Sequence, residues 1–469
     1  MFMKVCAGVA VVVAVAYQLY RFKEPMFVRM GAGVAALLVA YQLYRIKQQS
    51  NRRRRLQGQK MVRLLPAERN RMSLIFMSPA TSSITFFTGS LDQARKHLEK
   101  RITSIVAANP WLNATLDHDP SSGEIALFYQ PGHAAQSIFS APKQLQISRG
   151  DSYPTIVKKL QPFLCRTSED SVGRCIPLFR VLLVADHADP GKFAVVVSAN
   201  HVLMDGHGFY RVSKMLSSQA VVESLQIKRD QTIPARIEAT LGGDLGSSAA
   251  IGFIIRFVYH KIVNALSPRT QTMGFYLNEE WIRAEKQRAA KSGEVPFVST
   301  NDVATSTICN AIACDCAYMA INFRGRLEGC HDDLIGNYEE LLVYFRQDFA
   351  TPALIRQSIS PDSTGVLMRA GKPKQELFSN LKHLFGGPTF AGLTNWVRFA
   401  FAFHLPGATE DLHLPIRSRD DTLARMFSMV VIFRAQEGRV AAYVDGTQQT
   451  LDRLRSSDIV GDPLGVKGL

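Results

Sequence analysis

The sequence has little of what marks a metalloprotein, a disulfide scaffold or a fibre. Its seven cysteines (Cys6, Cys165, Cys175, Cys309, Cys314, Cys316 and Cys330) are odd in number, and Cys314 and Cys316 stand too close for the usual zinc pair. Free thiols in a reduced compartment are the simplest reading, and no metal site is expected. The 32 glycines and 21 prolines carry no period, which excludes collagen-like and low-complexity chains. The body of the chain holds no solenoid repeat, and neither zinc-finger spacing nor an RNA-binding signature is present.

Acidic residues are scarce in one place only. Residues 1–60 hold eleven Lys/Arg against the single acid Glu24, which accounts for +10 of the net +15. Basic charge gathered beside apolar segments fits anionic lipid headgroups better than a nucleic-acid face, so no nucleic-acid partner is expected. The same region is duplicated, with residues 16–21 recurring as 40–45. Its uncharged cores, 5–20 and 30–44, are 16 and 15 residues long. At ~1.5 Å per residue each reaches only about 24 Å, against roughly 30 Å of bilayer core. Lysine and arginine snorkelling and the flanking tyrosines Tyr17, Tyr20, Tyr41 and Tyr44 extend that reach. The reading is a helical hairpin or two in-plane helices on the endoplasmic reticulum or another endomembrane, with the rest of the chain cytosolic. A cleaved signal peptide ending near Ala14-Val15-Ala16 is the competing reading.

Beyond residue 60 strand and helix signals alternate. "SSITFFTGS" reads as a strand closed by Gly89, and Ser90 and Gln93 as the start of a helix with Leu91, Leu98, Ile102 and Ile105 on one face. "PLFRVLLVAD" and "FAVVVSAN" read as an antiparallel pair turning at "HADPGK". The stretch from His207 to Leu225 reads as a helix, and 249–266 as an apolar helix. "NEEWIRAEKQRAAKSG" is a surface helix ending at Gly293, and the last hairpin turns at Glu437-Gly438.

Between the strand pair and its helix lies "SANHVLMDGHGFY". By alternation His201 shares a face with Val195 and Val197, and a rigidly held neutral imidazole suits proton abstraction near pH 7. Gly206 offers a positive φ for a sharp exit. An isolated H-x-x-x-D is common by chance, so other segments decide.

Those segments are "IPLFRVLLV" with Pro177, Leu178 and Phe179; "VSTNDVATSTICNAI" with Asn301 and Asp302; "AINFRGRLEGC…IGNYEE" with Arg324, Gly336 and Asn337; and "LTNWVRF". In this order they resemble the H-x-x-x-D-G enzymes of the chloramphenicol-acetyltransferase-like superfamily. BAHD acyltransferases, wax ester synthases, alcohol acyltransferases and peptide-synthetase condensation domains belong to it. Asn200 stands where many relatives carry a first histidine, and no D-F-G-W-G segment is present. The resemblance implies an α/β fold of two similar lobes of mixed sheet flanked by helices around a central tunnel. It divides the chain into an anchor (1–60), a first lobe (61–280) and a second lobe (281–469).

It also implies roles. His201 is the general base, while Asp205 and Gly206 are structural, with Asp205 paired to Arg324. Asn301 and Asp302 order the second lobe. Asn200, Thr394, Asn395 and Trp396 are the candidates for the oxyanion or tunnel wall. The donor is acyl-CoA, with no bound cofactor and no metal. The apolar N-terminal segments suggest a hydrophobic alcohol as acceptor, and a monomer touching membrane lipid is expected. Two alternatives stay open: an amide-forming enzyme, and a non-catalytic lipid-binding protein of the same fold.

Overall fold

The computed structural model describes residues 39–44, 47, 50–69, 80–132, 138–241, 271–361, 363, 365, 367, 390–417 and 428–469. The first apolar copy, most of the second, the small-residue cleavage site and the apolar stretch 249–266 lie outside the described residues. Two units make up the chain, one being Met1–Lys60 with His118–Glu124. In it residues 39–44 and 50–56 are helical, with Tyr41, Leu43 and Tyr44 more than half exposed. The expected endomembrane placement is corrected here, and the described residues give the expected anchor no support. Among the described residues no helix is long and apolar enough to cross a membrane. The physical reason is already in the composition, because two short uncharged cores bounded by arginine and lysine fall below bilayer length.

The second unit, Met61–Asp117 with Ile125–Leu469, carries all the motifs. The strands up to the H-x-x-x-D segment are β1 (Lys60–Arg63), β2 (Thr81–Gly89), β3 (Thr115–His118), β4 (Ile125–Tyr129), β5 (Phe139–Ser140), β6 (Phe179–Ala185) and β7 (Lys192–Ala199). After it come β8 (Gln271–Leu277), β9 (Cys316–Asn322), β10 (Glu339–Phe345), β11 (Phe390–Asn395), β12 (Ala408–Pro415), β13 (Ser428–Gln436), β14 (Arg439–Gly446) and β15 (Val460–Pro463). A five-stranded sheet runs β12-β2-β7-β6-β5 and a seven-stranded one β10-β9-β11-β13-β14-β8-β15. Both mix parallel and antiparallel pairs: β11 runs parallel to β9 and β13 in the larger sheet and β5 parallel to β6 in the smaller, while most neighbours are antiparallel.

Strand β7 shows why its sequence is apolar without a break from Phe193 to Val197. Phe193, Val195, Val197 and Ala199 face a core shared with Leu98, Ile102 and Ile105 of the helix Leu91–Ala108. Ala194 and Val196 face the opposite way, onto Val431, Phe433 and Tyr443 of the seven-stranded sheet. Each fully buried valine contributes roughly 1.5–3 kcal/mol relative to exposure. The β6–β7 pair is antiparallel, as expected, with Phe179 opposite Ala199. The helix Glu279–Ser292 ends on Gly293 at φ 72°, and β13–β14 turns at Gly438, φ 71°.

Two boundaries differ from the sequence reading. The helix after Asp205 stops at Lys214 rather than running to Leu225. There the Ser218 amide is captured by the carbonyl of His404 at 2.8 Å, a tertiary bond that replaces the next helical turn. A cut at residue 280 also fails to separate the sheets: β8 precedes it yet joins the seven-stranded sheet, and β12 follows it yet closes the five-stranded one. The close approach of β12 requires Gly89, φ 144°, where a Cβ would stand 2.6 Å from the Cα of Ala408.

Candidate active site

Strand β7 ends at Ala199, and a turn follows in which the Leu203 amide bonds the Asn200 carbonyl at 2.9 Å. The alternation of β7 therefore does not extend to His201; the turn aims it. Asn200 holds the turn. Its carbonyl oxygen accepts from the Val202 amide at 3.0 Å and the Ser168 hydroxyl at 2.9 Å, and its Nδ2 donates to the Arg166 carbonyl at 3.1 Å. At 1 % exposure Asn200 is bound into the turn, with Oδ1 accepting twice and one Nδ2 hydrogen on the Arg166 carbonyl.

Asp205 caps the helix Gly206–Lys214, its Oδ1 accepting the Gly208 amide at 3.0 Å. Its Oδ2 accepts from Arg324 Nη1 at 2.7 Å and from the Tyr338 amide at 3.3 Å. Arg324 is buried and spends three further donors on the carbonyls of Leu334 and Gly336 and on Asn322 Oδ1. Burial works to raise the Asp205 pKa, but the Arg324 charge and these donors override it and hold the carboxyl below its ordinary range. Asp205 thus points away from His201 and ties the start of the helix to the second sheet. Gly206 does not have a positive φ; it is the first helical residue, and a Cβ there would stand 3.4 Å from Nε1 of Trp396.

A second buried ion pair, unforeseen in the sequence, lies behind His201. Glu68 and Arg229, both without exposed side-chain surface, meet at 3.0 Å. Arg229 also donates to the carbonyls of Val202, Leu203, Ile227 and Ile335, which fixes the turn carrying His201. Gly336, φ 146°, leaves room for this guanidinium, since a Cβ would stand 2.8 Å from its Nε.

Glu68 reaches His201 through Asn337. Glu68 Oε1 accepts Asn337 Nδ2 at 2.9 Å, and the same Nδ2 donates to the His201 carbonyl at 2.9 Å. Asn337 Oδ1 lies 2.9 Å from His201 Nδ1. The opposite amide orientation would set an oxygen against a carboxylate and a carbonyl, so Oδ1 is the acceptor and Nδ1 carries the hydrogen. That leaves the lone pair of the imidazole on Nε2.

Beside Nε2, at 3.8 Å, stands Oε1 of Glu339. This is beyond hydrogen-bond reach, and among the described residues no hydrogen bond ends on the Glu339 carboxylate. Burial pushes its pKa up to about 7, the Asp205 charge adds to the rise, and His201 and Arg324 oppose it.

The other expected residues gather elsewhere. Asp302 forms a capping box with Ser299 on the helix Thr300–Ala311 and pairs with Arg356. Asn301 accepts from Asn395 Nδ2 at 2.8 Å, and Asn395 Oδ1 caps the Val397 amide at 2.9 Å. Asn395 is therefore spent on ordering the loop after β11. Thr394 lies on β11, and Trp396 packs against Tyr210, ring centroids 5.6 Å apart. Of the four oxyanion candidates, Trp396 comes nearest the start of the H-x-x-x-D helix.

The two mixed sheets, with H-x-x-x-D at the end of β7 and its aspartate tied to an arginine beyond β9, define the chloramphenicol-acetyltransferase-like fold. Solved structures agree. Fusarium graminearum TRI101, complexed with coenzyme A and deoxynivalenol, matches at TM-score 0.58 and 14 % identity over 85 % of this chain and 97 % of its own. The first condensation domain of the CDA synthetase matches at 0.51 and 12 %, over 86 % and 98 %. Polyketide synthase associated protein 5 of Mycobacterium tuberculosis matches at 0.52 and 13 %, over 85 % and 97 %. No protein-family model matches the chain, and no curated protein sequence matches it.

Proposed function

We propose that this protein transfers an acyl group from an acyl-CoA thioester to a hydroxyl of a hydrophobic acceptor, with His201 as general base. The observation that carries the reading is the His201 imidazole, locked through Nδ1 by Asn337 with its Nε2 lone pair left free. A base held this way takes the acceptor proton at Nε2 as the oxygen attacks the thioester carbon. The C–S bond then breaks, and the sulfur leaves with the proton that His201 returns. The tetrahedral oxyanion needs donors aimed at it in advance; the Trp396 indole N–H and the Thr394 hydroxyl are assigned that part. The CoA complex of the TRI101 fold relative supports the donor class. A second reading, transfer to an amine, is favoured by one observation, the Glu339 carboxylate beside Nε2. Incubation of purified protein with acetyl-CoA or a long-chain acyl-CoA and mixed alcohols and amines tests the proposal. Acylated products formed by the wild type and absent with His201→Ala support it. Equal thioester consumption by both proteins removes it.

A further inference from the structure

We propose that Glu339 receives an ammonium group of the acceptor beside the free Nε2 of His201, so that the acceptor is an amine or an amino alcohol. The inference rests on the acyl-transfer reading above: it narrows the hydroxyl acceptor to an amino alcohol, and otherwise takes up the amine of the second reading. Nε2 of His201 and Oε1 of Glu339 face each other at 3.8 Å. Both are hydrogen-bond acceptors, and among the described residues neither is supplied with a donor. A plain hydroxyl has one hydrogen and can serve only one of them; an ammonium has three and can serve both.

The neighbouring cations cannot fill the gap. Arg324 spends four of its five donors on Asp205, Asn322 and two carbonyls, and none of these reaches Glu339. Arg229 is consumed by Glu68 and four carbonyls. A carboxylate only 30 % exposed without a cation is unfavourable, which is why burial pushes the Glu339 pKa up to about 7. An alkylammonium supplies the missing charge and the missing donors together.

Two reactions are open to such an acceptor. In an amine, the bound ammonium loses one proton to water and its nitrogen attacks the thioester carbon. His201 Nε2 then removes a second proton, the C–S bond breaks, and the CoA sulfur leaves as the thiol with that proton. In an amino alcohol the ammonium stays on Glu339. The adjacent hydroxyl gives its proton to His201, attacks, and forms an ester with release of the same thiol.

The test uses the full chain with acetyl-CoA and three probes of equal chain length: decanol, decylamine and a decyl amino alcohol. The wild type is expected to prefer the two nitrogen-bearing probes over decanol by roughly tenfold or more in kcat/KM. In Glu339→Gln this preference ratio should collapse, and in Glu339→Asp, which keeps the charge, part of it should remain. Mass spectra of the products, amide or ester, separate the two sources of the ammonium. A wild type that prefers decanol, or a ratio unchanged in Glu339→Gln, overturns the proposal. If no probe is acylated, calorimetric binding of decylammonium decides. Binding that weakens about tenfold in Glu339→Gln keeps the ammonium site while the acyl-transfer reading falls. Binding that is absent, or indifferent to residue 339, removes the site.

Discussion

Asp205 and Glu339 are two carboxylates of one neighbourhood with opposite fates. Asp205 is almost fully buried, yet it receives Gly208, Arg324 and Tyr338 and stays below the ordinary carboxylate range. Glu339 keeps more exposed surface, receives no hydrogen bond among the described residues, and is pushed up to about 7. Satisfaction by donors, rather than depth, decides which carboxylate stays charged. The saturated one serves architecture, and the unsaturated one is left for a ligand.

The largest effect belongs to the group both carboxylates flank. His201→Ala should lower acyl-transfer kcat by about 10²–10⁴ while circular dichroism and melting remain like wild type. Next comes the saturated carboxylate. Asp205→Asn leaves the Arg324 guanidinium buried without its counter-charge and should cost on the order of 3 kcal/mol, read as a lower denaturation midpoint with activity falling in parallel. A variant that melts like wild type but is inactive would move Asp205 from architecture into chemistry. Glu68→Gln likewise leaves a buried guanidinium, Arg229, without its counter-charge and should cost a similar amount, on the order of 3 kcal/mol, although one acceptor oxygen remains for Asn337. It should lower kcat more than KM as Asn337 loses its anchor.

The smallest effect sharpens the comparison through pH. A carboxyl whose folded pKa lies above its unfolded value holds its proton longer when folded, so stability falls as pH rises between the two. For Glu339 that window runs from the ordinary 4.5 to about 7. Glu339→Gln should therefore be more stable than wild type at pH 8, by on the order of 1 kcal/mol after discounting exposure. The gain should vanish near pH 4. Asp205 acts in the other direction: its stabilisation is present above the ordinary 3.8 and is lost as pH falls through its depressed folded value. Equal pH profiles for the Asp205 and Glu339 variants would erase the distinction.

The sequence made the local parts of this arrangement legible. Strands β6 and β7, the turn between them and the surface helix ending at Gly293 each carry their own pattern within a few residues. The pairing of Asp205 with Arg324 followed from the ordered motifs. The tie from Glu68 to Arg229 spans 161 residues and that from Asn337 to His201 spans 136, and nothing in the intervening periodicity foretells either. Glu339 was visible only as one letter of "IGNYEE", since the donors a carboxylate will lack are a property of the assembled site. Asn200 went the other way. Its position beside His201 invited a chemical role, and the fold spends it on Ser168, Arg166 and Val202.

Strand β12 has a consequence for how the protein is made. It borders β2 in the five-stranded sheet, yet its residues are translated long after those of β2. At roughly 5–20 residues per second a ribosome needs on the order of tens of seconds to bridge that interval. Throughout it the edge of β2 has no partner, and an open apolar edge invites pairing with another nascent chain. Chaperone demand at this edge should therefore end with the emergence of residues 408–415. A chain truncated before Ala408 should accumulate in inclusion bodies, although it retains the whole H-x-x-x-D segment.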